Sequence, residues 1–141
     1  MKETIQIDTD KDRLDILLIH HFLSNHAYWA KGRSMEKVKR SIDNSLCFGV
    51  YVDNVQAGFA RVVSDYTIFA WVLDVFILPE YRGHGLSKRL MQAIMAHEDL
   101  QGLRRWGLAT EDAHGLYQQF GFTPLKKPDL LMEITTPVSA S

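Results

Sequence analysis

Asp74-Val75-Phe76-Ile77-Leu78-Pro79-Glu80-Tyr81-Arg82-Gly83-His84-Gly85-Leu86-Ser87-Lys88-Arg89-Leu90 is the stretch from which the rest of the chain can be organised. It opens inside an apolar run, Phe69 to Leu78, broken only by Asp74, which predicts a buried central strand stopped by Pro79. It then passes through Arg-Gly-His-Gly into a segment where Leu86, Leu90, Ile94 and Met95 mark an amphipathic helix reaching about His97. Two glycines let a backbone come close to a ligand, and the free N–H groups of a first helical turn form a concave anion site. A pyrophosphate suits such a turn, and Arg82, His84, Lys88 and Arg89 bring positive charge to it. A Walker loop would require Gly-Lys-Ser/Thr after a longer spacing, and a dinucleotide fingerprint would open the first strand–helix unit; neither pattern is present.

Working outward, Thr4 to Asp8 alternates weakly as a first strand, and Leu14, Leu17, Leu18 and Phe22 follow at helical spacing. Ser34 stands where an N-cap belongs, ahead of Met35, Val38 and Ile42, with Asn44 near that helix's end. Leu46 to Val52 and Val55 to Val63 flank Asp53-Asn54, a pair suited to a two-residue hairpin turn. Arg104 to Ala109 predicts a fifth strand. Ala113, Leu116, Tyr117 and Phe120 predict a short helix ended by Gly121. Phe122 onward and Leu131 to Thr135 are expected as the last strands. The order β-α-α-β-β-β-α-β-α-β-β describes an α/β (α+β) domain with a mixed sheet flanked by helices.

The 141 residues suffice for one core, expected over 1–136, with 137–141 as a flexible tail. With 46% hydrophobic and 23% charged residues the chain can bury that core, unlike a disordered sequence. Sixteen Lys and Arg against seventeen Asp and Glu leave a formal charge of -1, so no global field attracts nucleic acid or a membrane. The single cysteine, Cys47, excludes an intrachain disulfide, suits a reducing compartment and is read as a packing residue. The histidines lack metal-ligand spacing, so no metal is expected. The first residues lack a secretion-signal pattern and no apolar run approaches the ~20 residues of a membrane span, which predicts a cytoplasmic protein.

The turn from Arg82 to Ser87 resembles the acetyl-CoA turn of the GNAT superfamily of N-acetyltransferases, Arg/Gln-x-x-Gly-x-Gly/Ala, with Pro79-Glu80-Tyr81 as its lead-in. The element order, the Asp53-Asn54 hairpin, Leu-Tyr-x-x-Phe-Gly-Phe at 116–122 and Met-Glu-Ile at 132–134 extend the similarity to small bacterial members. Ser87 departs from the family's usual Gly or Ala, yet it is small and its hydroxyl can donate to phosphate. The resemblance implies a mixed, mostly antiparallel sheet of six to seven strands with about four helices, and acetyl-CoA (coenzyme A) as donor. Arg82, Gly83, His84, Gly85, Leu86 and Ser87 would hold it. The backbone of Phe76 and Ile77 would bond its pantetheine arm where their strand splays from its neighbour, and the Ile77 N–H would face the oxygen that gains charge.

A lysine-like amine with a pKa of about 10.4 is mostly protonated at neutral pH, and a thiolate leaving group with a pKa of about 8.5 benefits from a proton donor. Tyr117 occupies the family's general-acid position. Asp74, the lone charge in its strand, is the candidate base, since burial raises a carboxyl pKa. His26 competes with it, as do a water relay and direct use of the neutral amine. No Ser or Cys nucleophile with a paired His is evident, which favours direct attack on the thioester. The similarity also places the connection between the first two helices over the acceptor, making Tyr28, Trp29, Lys31 and Arg33 the recognition candidates. Its aromatics point to a cationic amine, its Lys31 and Arg33 to a carboxylate or phosphate, and the two signals conflict. The resulting expectation is an N-acetyltransferase for a small-molecule amine. A protein-lysine acetyltransferase and a non-catalytic acyl-CoA-binding module stand as alternatives, and a homodimer stays open.

Overall fold

The computed structural model describes residues 3–137. Five strands form one sheet in the order β1 (Ile5–Asp8), β2 (Leu46–Val52), β3 (Val55–Ser64), β4 (Phe69–Ile77) and β5 (Arg105–Leu108). All neighbours are antiparallel except β4 and β5, which run parallel. Four helices accompany them: α1 (Ile16–His26), α2 (Met35–Asp43), α3 (Leu86–Ala96) and α4 (His114–Gln118). The local signals hold at several ends. Ser34 caps α2 by accepting from the Lys37 N–H at 3.2 Å. Asp53 and Asn54 take the positive φ values, 49° and 68°, that a two-residue hairpin loop demands.

Strand alternation sends side chains to two layers. On one face Ile19, Leu23, Val38 and Ile42 of α1 and α2 pack against Cys47, Phe59 and Phe76. On the other, Leu90, Met91 and Ile94 of α3 pack against Phe48, Val50, Val62 and Val72. Each fully buried aliphatic side chain contributes on the order of 1.5–3 kcal/mol. Cys47 is 1% exposed within this packing, and burial pushes its thiol up to about 11.

The sheet has fewer strands than expected. Neither the stretch from Phe122 nor Leu131 to Thr135 forms a strand; residues 123–137 are exposed, with Met132 and Ile134 uncovered. Pro124 and Pro128 withhold N–H groups that a ladder needs, and a 3-10 turn occupies Pro128–Leu130. The apolar residues Leu131 and Met132 are adjacent, so they cannot share one face of a strand. β4 also differs from the expected fully buried strand: Trp71, Leu73 and Val75 are half-buried, because all three border a cavity beside the end of β5. Of the expected tail, 138–141 lies outside the described residues. Among the described residues no helix is long and apolar enough to cross a membrane.

Candidate active site

The end of β4 feeds a short 3-10 turn, Pro79–Tyr81, and then the glycine turn. Gly83 and Gly85 adopt φ values of 84° and 75°, the left-handed region that costs other residues roughly 1–2 kcal/mol. Open space surrounds both, so backbone conformation, not crowding, is what requires glycine. Gly85 precedes α3 without a side-chain cap, and the first turn of α3 carries no acid. Its charges are instead Lys88 and Arg89, where a helix dipole would favour carboxylates. The Arg82 side chain ties the turn back to the sheet, its Nε donating to the Ile77 carbonyl at 2.9 Å. Ile77, Arg82, Gly83, Gly85, Leu86 and Ser87 all border one hollow of about 240 Å³. His84 is exposed and does not border it.

Beside this turn the sheet divides. β5 pairs with β4 from Phe69 to Val72 and no further, whereas β4 continues to Ile77. The edge of Leu73 to Ile77 that faces away from β3 is thus left without a ladder partner, which an extended, amide-bearing ligand can supply.

Asp74 sits at a bulge. Phe59 pairs with Phe76 and Arg61 with Leu73, so two β4 residues, Asp74 and Val75, stand opposite Ala60 alone. Asp74 takes φ 53° there. Strict alternation would aim its side chain at α3; the extra residue turns it to the face that carries Arg61. Its carboxylate, 1% exposed, receives three donors: Arg61 Nε at 2.6 Å and Arg33 at 2.8 Å on Oδ2, and Trp29 Nε1 at 2.8 Å on Oδ1. Arg61 also donates to Ser45 Oγ at 3.2 Å. Arg33 is held from its other end, its carbonyl accepting from Ser24 Oγ and lying 3.1 Å from His20 Nε2.

Where β4 and β5 part, a cavity of about 410 Å³ opens. Asp74, Trp29 and Tyr28 border it on one side, and Trp71, Tyr117 and residues 108–113 complete it. Tyr117 is 8% exposed and its hydroxyl makes no hydrogen bond among the described residues. Burial, with smaller contributions from Asp112 and Tyr28, raises its pKa, so the phenol keeps its proton at neutral pH. Gly107 lies opposite Trp71 in the ladder, and a Cβ there would run into the indole; its absence lets the ring cross β5. Thr110 caps the approach to α4, accepting from the Ala113 N–H at 3.1 Å.

The structure thus gathers Tyr28, Trp29, Asp74 and Tyr117 around one cavity and places Phe76 and Ile77 between it and the glycine turn. Three candidates fall elsewhere. Lys31 is exposed and borders none of these cavities, Arg33 is spent on Asp74, and His26 borders a separate hollow with His21, Leu78 and Arg82. Arg61, Trp71 and Glu111 were not singled out from sequence. Arg61 had a signal, being the lone charge in Val55 to Val63 as Asp74 is in the next strand.

Comparison with known proteins bears on the family and the fold. The model of the GNAT acetyltransferase domain matches residues 43–124. A crystal structure assigned to the GNAT acetyltransferases, from Xanthomonas campestris pv. campestris, is 56% identical with a TM-score of 0.94, over 96% of this chain and 95% of that one. An uncharacterized N-acetyltransferase, ycf52-like, of Prochlorococcus marinus is 34% identical over 78% of this chain and 63% of its own length, so the chain spans under two thirds of that relative. A Clostridium acetobutylicum protein classed as an acetyltransferase, whose structure holds acetyl-CoA, shares the fold at 12% identity and a TM-score of 0.70, covering 95% of this chain and 96% of that one. The chain belongs to the GNAT acetyltransferase family.

Proposed function

We propose that the protein is an acetyl-CoA-dependent N-acetyltransferase acting on a small primary amine, with Tyr117 as its general acid. The observation that carries this reading is the run of β4 beyond Val72, unpaired toward β5 between the glycine turn and Tyr117. The backbone of Phe76 and Ile77 is suited to an amide-bearing arm. The turn from Arg82 to Ser87, with the first N–H groups of α3, is suited to a pyrophosphate, while His84 at its exposed rim is free to meet the same ligand.

Acetyl-CoA supplies an activated acyl carbon and a thiolate leaving group. The acceptor nitrogen bonds to that carbon, the carbon–sulfur bond breaks, one proton passes from nitrogen to water and Tyr117 gives one to sulfur, later regaining it from solvent. A phenol held protonated by burial can make that donation across the neutral pH range. Cys47 is buried with its thiol pushed up to about 11, so it offers no nucleophile and supports direct attack. Asp74, first expected as the base, already accepts three charge-assisted or indole donors out of a carboxylate's roughly four lone-pair sites. We assign it to positioning: it pins Trp29 and Arg33 to the sheet. The acceptor then enters as the neutral amine.

Calorimetric titration with acetyl-CoA, followed by thiol release across a panel of amines, amino acids and lysine peptides, tests the reading. Tyr117→Phe should lower kcat by about 100-fold while acetyl-CoA affinity stays within about twofold. Binding without release from any acceptor favours a non-catalytic module, and absence of binding overturns the donor assignment.

A further inference from the structure

The cavity between β4, β5 and the Tyr28–Ala30 turn is bordered by acidic side chains and no basic one. Its charged residues are Asp74, Glu111 and Asp112, and neither lysine nor arginine borders it. The guanidiniums of Arg33 and Arg61 reach Asp74 at 2.8 and 2.6 Å, so that carboxylate is neutralised and its cluster holds one surplus positive charge behind the wall, which leaves Glu111 and Asp112 as the acids free to act on a ligand. Glu111 and Asp112 are exposed and have no salt-bridge partner among the described residues. Four aromatics, Tyr28, Trp29, Trp71 and Tyr117, complete the walls. Tyr28 and Trp29 meet edge to face at 5.1 Å between ring centroids, and Trp71 is half-buried across Gly107. The Trp29 N–H is committed to Asp74, which leaves its ring as what it offers a ligand. Tyr117, 8% exposed, borders the same cavity.

Resting on the transferase reading above, we infer that this cavity selects acceptors carrying a second cationic group, diamine-like rather than amino-acid-like. One amine, as the neutral nucleophile, meets the thioester carbon beside Tyr117. The distal ammonium lies among aromatic faces and the Glu111 and Asp112 carboxylates, which attract it by charge and by the ring quadrupoles. A distal carboxylate meets two like charges and no donor cation, so it is disfavoured at the same position. The conflict between aromatic and basic residues in the 28–33 segment resolves because Arg33 turns inward to Asp74 and Lys31 lies outside the cavity.

The test compares three acceptors on one five-carbon spacer: 1,5-diaminopentane, 6-aminohexanoate and uncharged-ended pentylamine, each assayed by thiol release from acetyl-CoA. The expected order of kcat/KM is diamine, pentylamine, amino acid, with about 30-fold or more between the first and last. Glu111→Gln combined with Asp112→Asn should shrink that ratio to about threefold, and 0.5 M NaCl should shrink it in the parent protein. Equal or reversed preference, or a ratio unmoved by the double variant, overturns the inference while leaving the transferase reading intact. Acetyl-CoA binding with no release from any of the three overturns the diamine acceptor alone; no acetyl-CoA binding overturns the transferase reading as well.

Discussion

Replacing Asp74 with asparagine separates positioning from proton abstraction. In the native arrangement Oδ2 accepts from Arg33 and Arg61 and Oδ1 from Trp29 Nε1. An asparagine that keeps its oxygen toward the arginines sets its amide hydrogens against the indole N–H; the opposite rotamer loses both guanidinium bonds. Either way two guanidiniums lose their counter-ion, with side-chain exposures of only 20% and 14%. Breaking a buried pair costs about 3–5 kcal/mol, and this residual exposure moves the figure toward roughly 3. At roughly 3–4 °C per kcal/mol for a domain of this size, Tm should fall by about 10 °C. Calorimetric melts of Asp74→Asn, Arg33→Met and the double variant should show coupling of about 1–3 kcal/mol, because the second loss removes a charge the first left stranded. In steady-state assays the acceptor KM should rise more than kcat falls, since Trp29 loses its anchor. A melting temperature within about 2 °C of the parent together with a hundredfold loss of kcat would refute the positioning argument and return Asp74 to the role of base.

Gly85→Ala forces a side chain into φ 75°, so acetyl-CoA affinity by calorimetry should drop by about tenfold with roughly 1–2 kcal/mol of backbone strain. Gly107→Ala displaces the Trp71 ring, and its expected signature is a severalfold higher acceptor KM with acetyl-CoA affinity retained. Burial lifts the Cys47 thiol from 9.0 to about 11, so the folded state keeps this proton where the unfolded chain releases it. Stability therefore falls as pH rises from about 9 to 11, by roughly 2–3 kcal/mol from this group. Urea melts of Cys47→Ala should lack that portion of the slope, and the native thiol should stay silent toward thiol reagents at pH 8.

The left-handed glycine turn, the Asp53-Asn54 hairpin and the Ser34 cap were legible because their physics is local. A positive φ, a capping hydroxyl or a 3.6-residue period is written into a few adjacent residues. The pairing that fills the Asp74 site is of another kind. Arg61 lies 13 residues and Arg33 41 residues away in sequence, and only the register across β3 and β4, with its bulge, turns Asp74 toward them. The Asp74 contacts show Trp29 and Arg33 as holders of a carboxylate, where the family resemblance had offered them to a substrate. The strands expected from Phe122 onward and over Leu131 to Thr135 are likewise ones the structure does not form. A strand needs a partner edge as well as a pattern, and whether β5 receives one is set by distant chain packing and by Pro124 and Pro128. By itself the sequence determined the family, the glycine turn at the head of α3 and the short helix that carries Tyr117, all carried by short-range spacing. Tertiary structure alone decided which charges cancel and which face the cavity, because that depends on contacts between segments far apart along the chain.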